Sequence, residues 1–236
     1  MKSRWTISMI GICISLLTVS SVQATDSLAV SAYAPIEILG AQVESYVKTL
    51  EKNVKSESSF DLDEVRQNGA TLATLALTLG MSDEEADLKK AAPVILKAAE
   101  AVVESTNYAE AKKAVTAVKN AMDATSDEKL EWQAVGDVTL LMRKVPLLDT
   151  RLRREVKKNR ADQAVVLAAI GQVCAEDTSM ATTDEEATQW TEFSRLMRDR
   201  AAAITQQIQA KETDDLESSL DALSEACDTC HEVFQK

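Results

Sequence analysis

Little in this chain breaks or bends a backbone. Its 236 residues include six glycines and three prolines, and aromatic side chains make up 4%. Strands and their turns draw on glycine, proline, aromatic and β-branched residues in alternating runs, and no such run is present. What fills the chain instead is Ala, Leu, Glu, Lys, Gln and Met, the strong helix formers, so the composition predicts an all-α fold. Histidine is scarcer still, with His231 standing alone. No nucleophile triad, phosphate-binding loop, dinucleotide fingerprint or carboxylate dyad is present. Basic residues are also in deficit, 26 against 38 acidic ones, for a formal net charge of −12. That balance argues against nucleic acid and against an anionic membrane surface as partners. It suits solubility, or approach to a basic partner.

One long apolar run is present, from Trp5 to about Val19, preceded by Lys2 and Arg4 and followed by Val22-Gln23-Ala24. A charged start, a short apolar middle and a small-residue end predict a secretory signal peptide over residues 1–24. The competing reading is an uncleaved anchor, for which the run is short. Cys13 lies mid-run without the small-residue context of a lipoprotein site and would be discarded with the leader. Lys2 and Arg4 are the only charges before Thr25, so cleavage would leave 24 basic and 38 acidic side chains, a net of −14. The expected product is exported, with no stable membrane insertion once the leader is gone.

Periodic apolar stripes predict eight helices after the leader. Pro35 opens the first, to about Val54, and the second covers Leu62 to Leu79. Ser82-Asp83-Glu84-Glu85 reads as a capping box starting a third helix that reaches Glu104. Asn107 caps a fourth, ending near Asp123. The fifth spans about Glu128 to Lys157 and the sixth Arg160 to Ala175. Thr183-Asp184-Glu185-Glu186 is a second capping box, opening a helix to about Lys211. Thr213 caps the last, which runs to Phe234.

The two sets of four helices align with each other. Gly40 and Lys48 match Gly136 and Lys144 at an offset of 96, and Leu72 and Leu75 match Leu167 and Ile170 at 95. The two capping boxes match at 101, and Ala111, Val115, Val118 and Ala121 match Leu216, Leu220, Leu223 and Ala226 at 105. The offset changes only between helices, as loop insertions should behave. We therefore expect two tandem antiparallel four-helix bundles, over residues 25–126 and 127–236.

The copies differ at one place. Cys227-Asp228-Thr229-Cys230-His231 reads C-x-x-C-H, the attachment signature of a c-type haem. Two thiols add across the two vinyl groups of one porphyrin, and the adjacent imidazole takes an axial position on iron. On a helix the three side chains share one face, because Cys230 lies three residues and His231 four from Cys227. A redox-active C-x-x-C wants a βαβ setting, and a closed zinc site wants four ligands where only Cys174 remains to add. A Cys227–Cys230 disulfide would leave His231 unexplained. Met122, Thr125 and Ser126 stand at the matching places of the first half, so that half cannot attach haem in this way. Cys174 ends an apolar run and reads as a small buried hydrophobe rather than a reactive thiol.

The last helix places Leu216, Leu220, Leu223, Cys227, Cys230 and Phe234 at spacings of 4, 3, 4, 3 and 4, a bundle-core seam. With Cys-Asp-Thr-Cys-His-Glu-Val-Phe at the C-terminal end of a four-helix bundle, residues 127–236 resemble the cytochrome c-prime family, the class II c-type cytochromes. The resemblance implies haem c as cofactor, Cys227 and Cys230 as its thioether sites and His231 as the proximal iron ligand. It also implies maturation outside the cytoplasmic membrane, hence a periplasmic location. Two departures stand out: the family often has a basic residue directly after the aromatic, where this chain has Gln235, and its domain is usually single.

The sixth iron position separates the functions. A single histidine excludes bis-histidine ligation within one chain. In the family the first bundle helix lines the distal side, with a methionine ligand in some members and an apolar blocker in others. Here that helix carries Leu140, Leu141, Met142 and Val145. Met142 is the candidate sixth ligand, its alternative being a core methionine, and Met197 is a weaker candidate. Pro146 cannot donate to the Met142 carbonyl, which predicts a kink beside the pocket. Methionine ligation implies an electron carrier serving a redox partner protein. A five-coordinate iron implies binding of a small gas such as nitric oxide. Without a second histidine there is no distal acid–base group, so an enzyme is not expected. The basic run Arg151, Arg153, Arg154, Lys157, Lys158 and Arg160 reads as a solvated helix end, or as a contact for haem propionates or an acidic partner.

Overall fold

The computed structural model describes residues 28–212 and 214–235. The predicted leader, with Cys13, and Thr213, the expected cap of the last helix, lie outside the described residues. Among those described, the chain is all helical and has no strand. Its α-helices are α1 (Ile36–Asn53), α2 (Leu62–Gly80), α3 (Ala92–Glu104), α4 (Tyr108–Ala121), α5 (Val138–Glu155), α6 (Asp162–Glu176), α7 (Asp184–Ala210) and α8 (Leu216–Phe234), with short 3-10 turns between some of them.

Caps set several starts. Asp61 accepts from the Glu64 N–H at 3.0 Å, Asn107 from the Glu110 N–H at 3.0 Å and Thr183 from the Glu186 N–H at 3.1 Å. Each satisfies one of the orphan donors of a helical first turn. Two expected starts fall elsewhere. The Ser82 box does not open a helix: Ser82 Oγ accepts from the Glu84 N–H at 3.2 Å in a loop, and Asp83 turns outward to the Ser31 N–H and hydroxyl at 2.9 and 2.6 Å. Pro93 explains the shift. It can donate no backbone hydrogen bond, so it fits the first turn of α3 and not the interior of a helix begun at residue 83. The fifth helix begins ten residues later than its stripe predicts. Gly136 sits at φ +71° with its Cα beside Ala70, and Asp137 then caps α5 through the Thr139 N–H at 2.7 Å. A residue at positive φ ends any helix that reaches it, and glycine takes that conformation without strain.

Packing follows the chain. α1 lies on α2 and α4, α2 on α3 and α3 on α4; α5 lies on α6, α6 on α7 and α7 on α8. The α1–α4 contact that closes the first set has no equal between α5 and α8. The two sets meet where α2 touches α5 and α6, and where α1 touches α6. Residues 68–79 of α2 and 163–175 of α6 are therefore buried without a solvent face. A helix apolar all round belongs in such a centre. Thr71, Thr74 and Thr78 enter it by returning their hydroxyls to the carbonyls four residues back, at 2.8–3.0 Å. One hydrophobic core runs through both sets of helices.

The helix pairings show where the internal match holds. Ala111, Val115, Val118 and Ala121 of α4 are buried, as are Leu216, Leu220, Leu223 and Ala226 of α8. The paired glycines do not correspond, because Gly40 is inside α1 while Gly136 precedes α5, and only one of the two paired capping boxes starts a helix.

Candidate functional site

The buried stripe of α8 begins with Leu216, Leu220 and Leu223 and then loosens: Cys227, Cys230, His231 and Phe234 are each half-buried. Both cysteines are free thiols, so the disulfide alternative is not adopted. Burial, and next the Asp149 carboxylate, push the Cys227 thiol up to about 11. Burial raises Cys230 as well. A redox-active C-x-x-C works through a lowered thiol pKa, and these move the other way, so both remain neutral thiols at pH 7. Cys174 on α6 is fully buried and its thiol is raised by burial, as a packing residue requires.

Across from α8 the chain supplies a wall from each neighbouring helix. Cys227, Cys230 and His231 share one apolar slot with Met142 and Val145 of α5, Cys174 of α6, and Trp190, Phe193 and Met197 of α7. Trp190 is buried and donates its indole N–H to the Cys174 carbonyl at 2.7 Å, which fixes the ring. Phe234 packs T-shaped against Trp190 and Phe193, with centroids 5.1 and 6.4 Å away and interplanar angles of 82° and 85°. Such pairs contribute about 0.5–1.5 kcal/mol beyond the area they bury.

Arg153 spans the gap between α5 and α8. Its guanidinium donates to Ser224 Oγ at 2.8 Å and to the Leu220 carbonyl at 3.3 Å on α8, and to Asp149 at 3.4 Å on its own helix. Asp221 and Glu217 lie within 3.4 and 3.7 Å of it. The basic run is thus not merely a solvated helix end. Arg153 reaches across to α8, and Arg160 pairs with Asp162.

Cys227, Cys230, His231 and Met142, singled out by sequence, all line this one slot, and so does Met197. Helix α5 continues through Pro146, which leaves the Met142 carbonyl without its usual donor four residues on. The first half offers no equivalent turn. α4 stops at Ala121, Met122 is its C-cap, and the Ser126 N–H donates to the Lys90 carbonyl at 2.9 Å. The aromatic walls carry no motif that marks them as site residues in sequence. Trp190, Phe193, Met197 and Ala201 follow a spacing of 3 and 4 along α7, which is the signal they do carry. Trp132 lies ahead of α5 and packs on the core.

Do these residues suit a haem? Their chemistry does: two thiols, one imidazole and thioether sulfur, enclosed by apolar and aromatic side chains. The enclosed volume, about 30 Å³, has room for little more than one water. Ligand pockets commonly reach about 300–1,000 Å³, so the slot in this arrangement is smaller than a macrocycle requires. Among the described residues no three Cys, His, Asp or Glu side chains gather as a metal set. Comparison with protein-family models, with curated proteins and with solved structures finds no match.

Proposed function

We propose that this chain is an exported monohaem c-type cytochrome that carries electrons to or from a basic partner protein. The observation behind the reading is the meeting of Cys227, Cys230 and His231 on one face of α8 with Met142 in a single apolar slot. The cofactor would supply a one-electron iron couple. The chain's own residues would do the rest. Cys227 and Cys230 would hold the macrocycle through thioether bonds, and His231 would supply the iron ligand. Trp190, Phe193 and Phe234 wall the slot and keep water out, which tunes the potential. Met142, which lines the same slot, would be the candidate sixth ligand. In this reading the molecule is two antiparallel four-helix bundles in tandem, the second resembling the cytochrome c-prime family and the first without haem, and its location is periplasmic.

A second reading, a five-coordinate iron that binds a small gas such as nitric oxide, draws on Val145 beside Met142, since an apolar wall can shield a vacant coordination position as well as a methionine can fill it. One experiment separates these readings. The full-length protein is expressed in a host that exports and matures c-type cytochromes, and its mass and absorption spectrum are recorded, oxidised and reduced, with and without carbon monoxide. The expected product carries one haem covalently and shows a low-spin spectrum with the sulfur-to-iron band, lost in Met142→Ala and kept in Met197→Ala. A high-spin spectrum that shifts with carbon monoxide assigns the gas reading instead. A colourless product with the mass of bare polypeptide overturns both.

A further inference from the structure

A second cavity lies on the other flank of α5, where the two sets of helices meet. It is a cleft of about 600 Å³ between α1, α2 and α5, within the range of small-molecule sites. Its lining is largely polar, unlike the slot beneath α8. Three cations reach it, Lys52 from α1 and Lys144 and Arg151 from α5, against one carboxylate, Glu64. An excess of positive charge in one cleft stands out on a chain of net charge −12.

Lys144 is the residue that needs explaining. It is 4% exposed, yet no carboxylate lies within ion-pairing distance of it among the described residues. Its ammonium donates to Asn68 Oδ1 at 2.7 Å and lies 5.9 Å from the Tyr46 ring centroid. Asn68 is itself held by its amide donating to Asn53 Oδ1 at 3.1 Å. An ammonium has three donors, and one neutral acceptor with a ring face leaves it under-compensated. Buried charges are ordinarily paired, because desolvation of an unpaired one is costly. Arg151 adds a second positive charge beside it and, like Lys52, has no ion pair or side-chain hydrogen bond among the described residues. The matching lysine of the first half, Lys48, is exposed and pairs with Glu44 at 3.5 Å, so burial is particular to Lys144.

We propose that this cleft binds a small organic oxyanion, a carboxylate or phosphate ester, with its charged head on Lys144 and Arg151 and its polar body among the amides and hydroxyls of α1 and α2. The anion supplies the counter-charge that the chain omits, and charge-assisted hydrogen bonds from the two cations hold it. The site is independent of the haem reading, because none of its residues lines the slot beneath α8.

Isothermal titration of the purified full-length chain at low ionic strength tests the site, with citrate, glycerol 3-phosphate and inorganic phosphate as probes. Saturable one-to-one binding of citrate or glycerol 3-phosphate is expected, and whichever binds assigns the class. Lys144→Met should weaken it by about tenfold or more, the scale of one charge-assisted contact. Arg151→Gln, at an exposed position, should weaken it several-fold and serves if Lys144→Met does not fold. Arg154→Gln, whose side chain is outside the cleft, should leave it unchanged. Absence of saturable binding for both organic probes overturns the proposal, as does wild-type affinity in folded Lys144→Met or in Arg151→Gln. Inorganic phosphate binding as tightly as the organic probes overturns the organic part.

Discussion

Glu155 closes α5 in surroundings that do not suit a carboxylate. Burial, and next the neighbouring Asp162, raise its pKa above the ordinary carboxylate range, against the opposing pull of Arg160 and hydrogen bonds from Gln163. One of its oxygens is buried without a partner. The folded chain therefore binds this proton more tightly than the unfolded chain does. As pH rises from the ordinary glutamate value, about 4.3, towards the raised folded value, stability is lost. Glu155→Gln removes the titration and keeps the hydrogen-bonding shape. It should match wild type near pH 4.5 and exceed it at pH 7, by no more than about 1 kcal/mol for a partly buried polar group. Urea midpoints at the two pH values measure this, and an advantage that does not grow with pH would count against the assigned cause. Cys227 and Cys230 show the same effect of burial on a different acid. Their thiols are held above the ordinary thiol value by burial, so neither is an activated thiolate.

Two helix-interior glycines separate propensity from packing. A Cβ at Gly40 would meet nothing within 4 Å, whereas one at Gly171 would lie 2.7 Å from the Arg198 nitrogen and 2.8 Å from the Ser194 oxygen, both backbone atoms of α7. Glycine costs a helix roughly 1 kcal/mol relative to alanine, so Gly40→Ala should stabilise the chain by up to that amount. Gly171→Ala gains the same term but forces α6 away from α7, at a cost of about 1–3 kcal/mol for overpacking, and should be a net loss. At about 2–4 °C per kcal/mol for a chain of this size, the melting temperatures should move in opposite directions. A rise in both would mean that α6 and α7 shift apart freely. The same contrast explains what could be read from the sequence. The stripes of α1, α2, α4 and α7, and the caps Asn107 and Thr183, lie in local sequence, and the bounds of these helices are legible there. The start of α3 was set by Pro93, whose meaning depends on where the preceding loop is tied, through Asp83 to Ser31. The start of α5 was set by Gly136 lying against Ala70, a contact from the other half of the chain. At the candidate site the ligand-type residues were legible as a motif. Trp190 and Phe193 gain their role only from the face of α7 that α8 covers, and Lys144 reads as a surface lysine until α1 and α2 enclose it.

For the molecule as a whole, the question is whether the second set of helices, α5 to α8, can fold without the first. α2 and α6 are each buried on all sides because they meet at the seam, and the core is continuous across it. Removing either half would expose one of these helices along a full apolar face, at roughly 25 cal/mol for each Å² uncovered. It would also strip Asn68 from the buried Lys144. One cooperative transition is therefore expected. Trp132 and Trp190, the two tryptophans among the described residues, both belong to the second half, so their fluorescence reports that half, while circular dichroism reports all eight helices. The two urea curves should coincide. Leu72→Ala, at a fully buried position of α2, should cost about 2–5 kcal/mol and move both curves equally. Were the fluorescence curve to hold its midpoint while the dichroism curve split, the halves would be thermodynamically separate, and the seam would be a docking contact between finished domains.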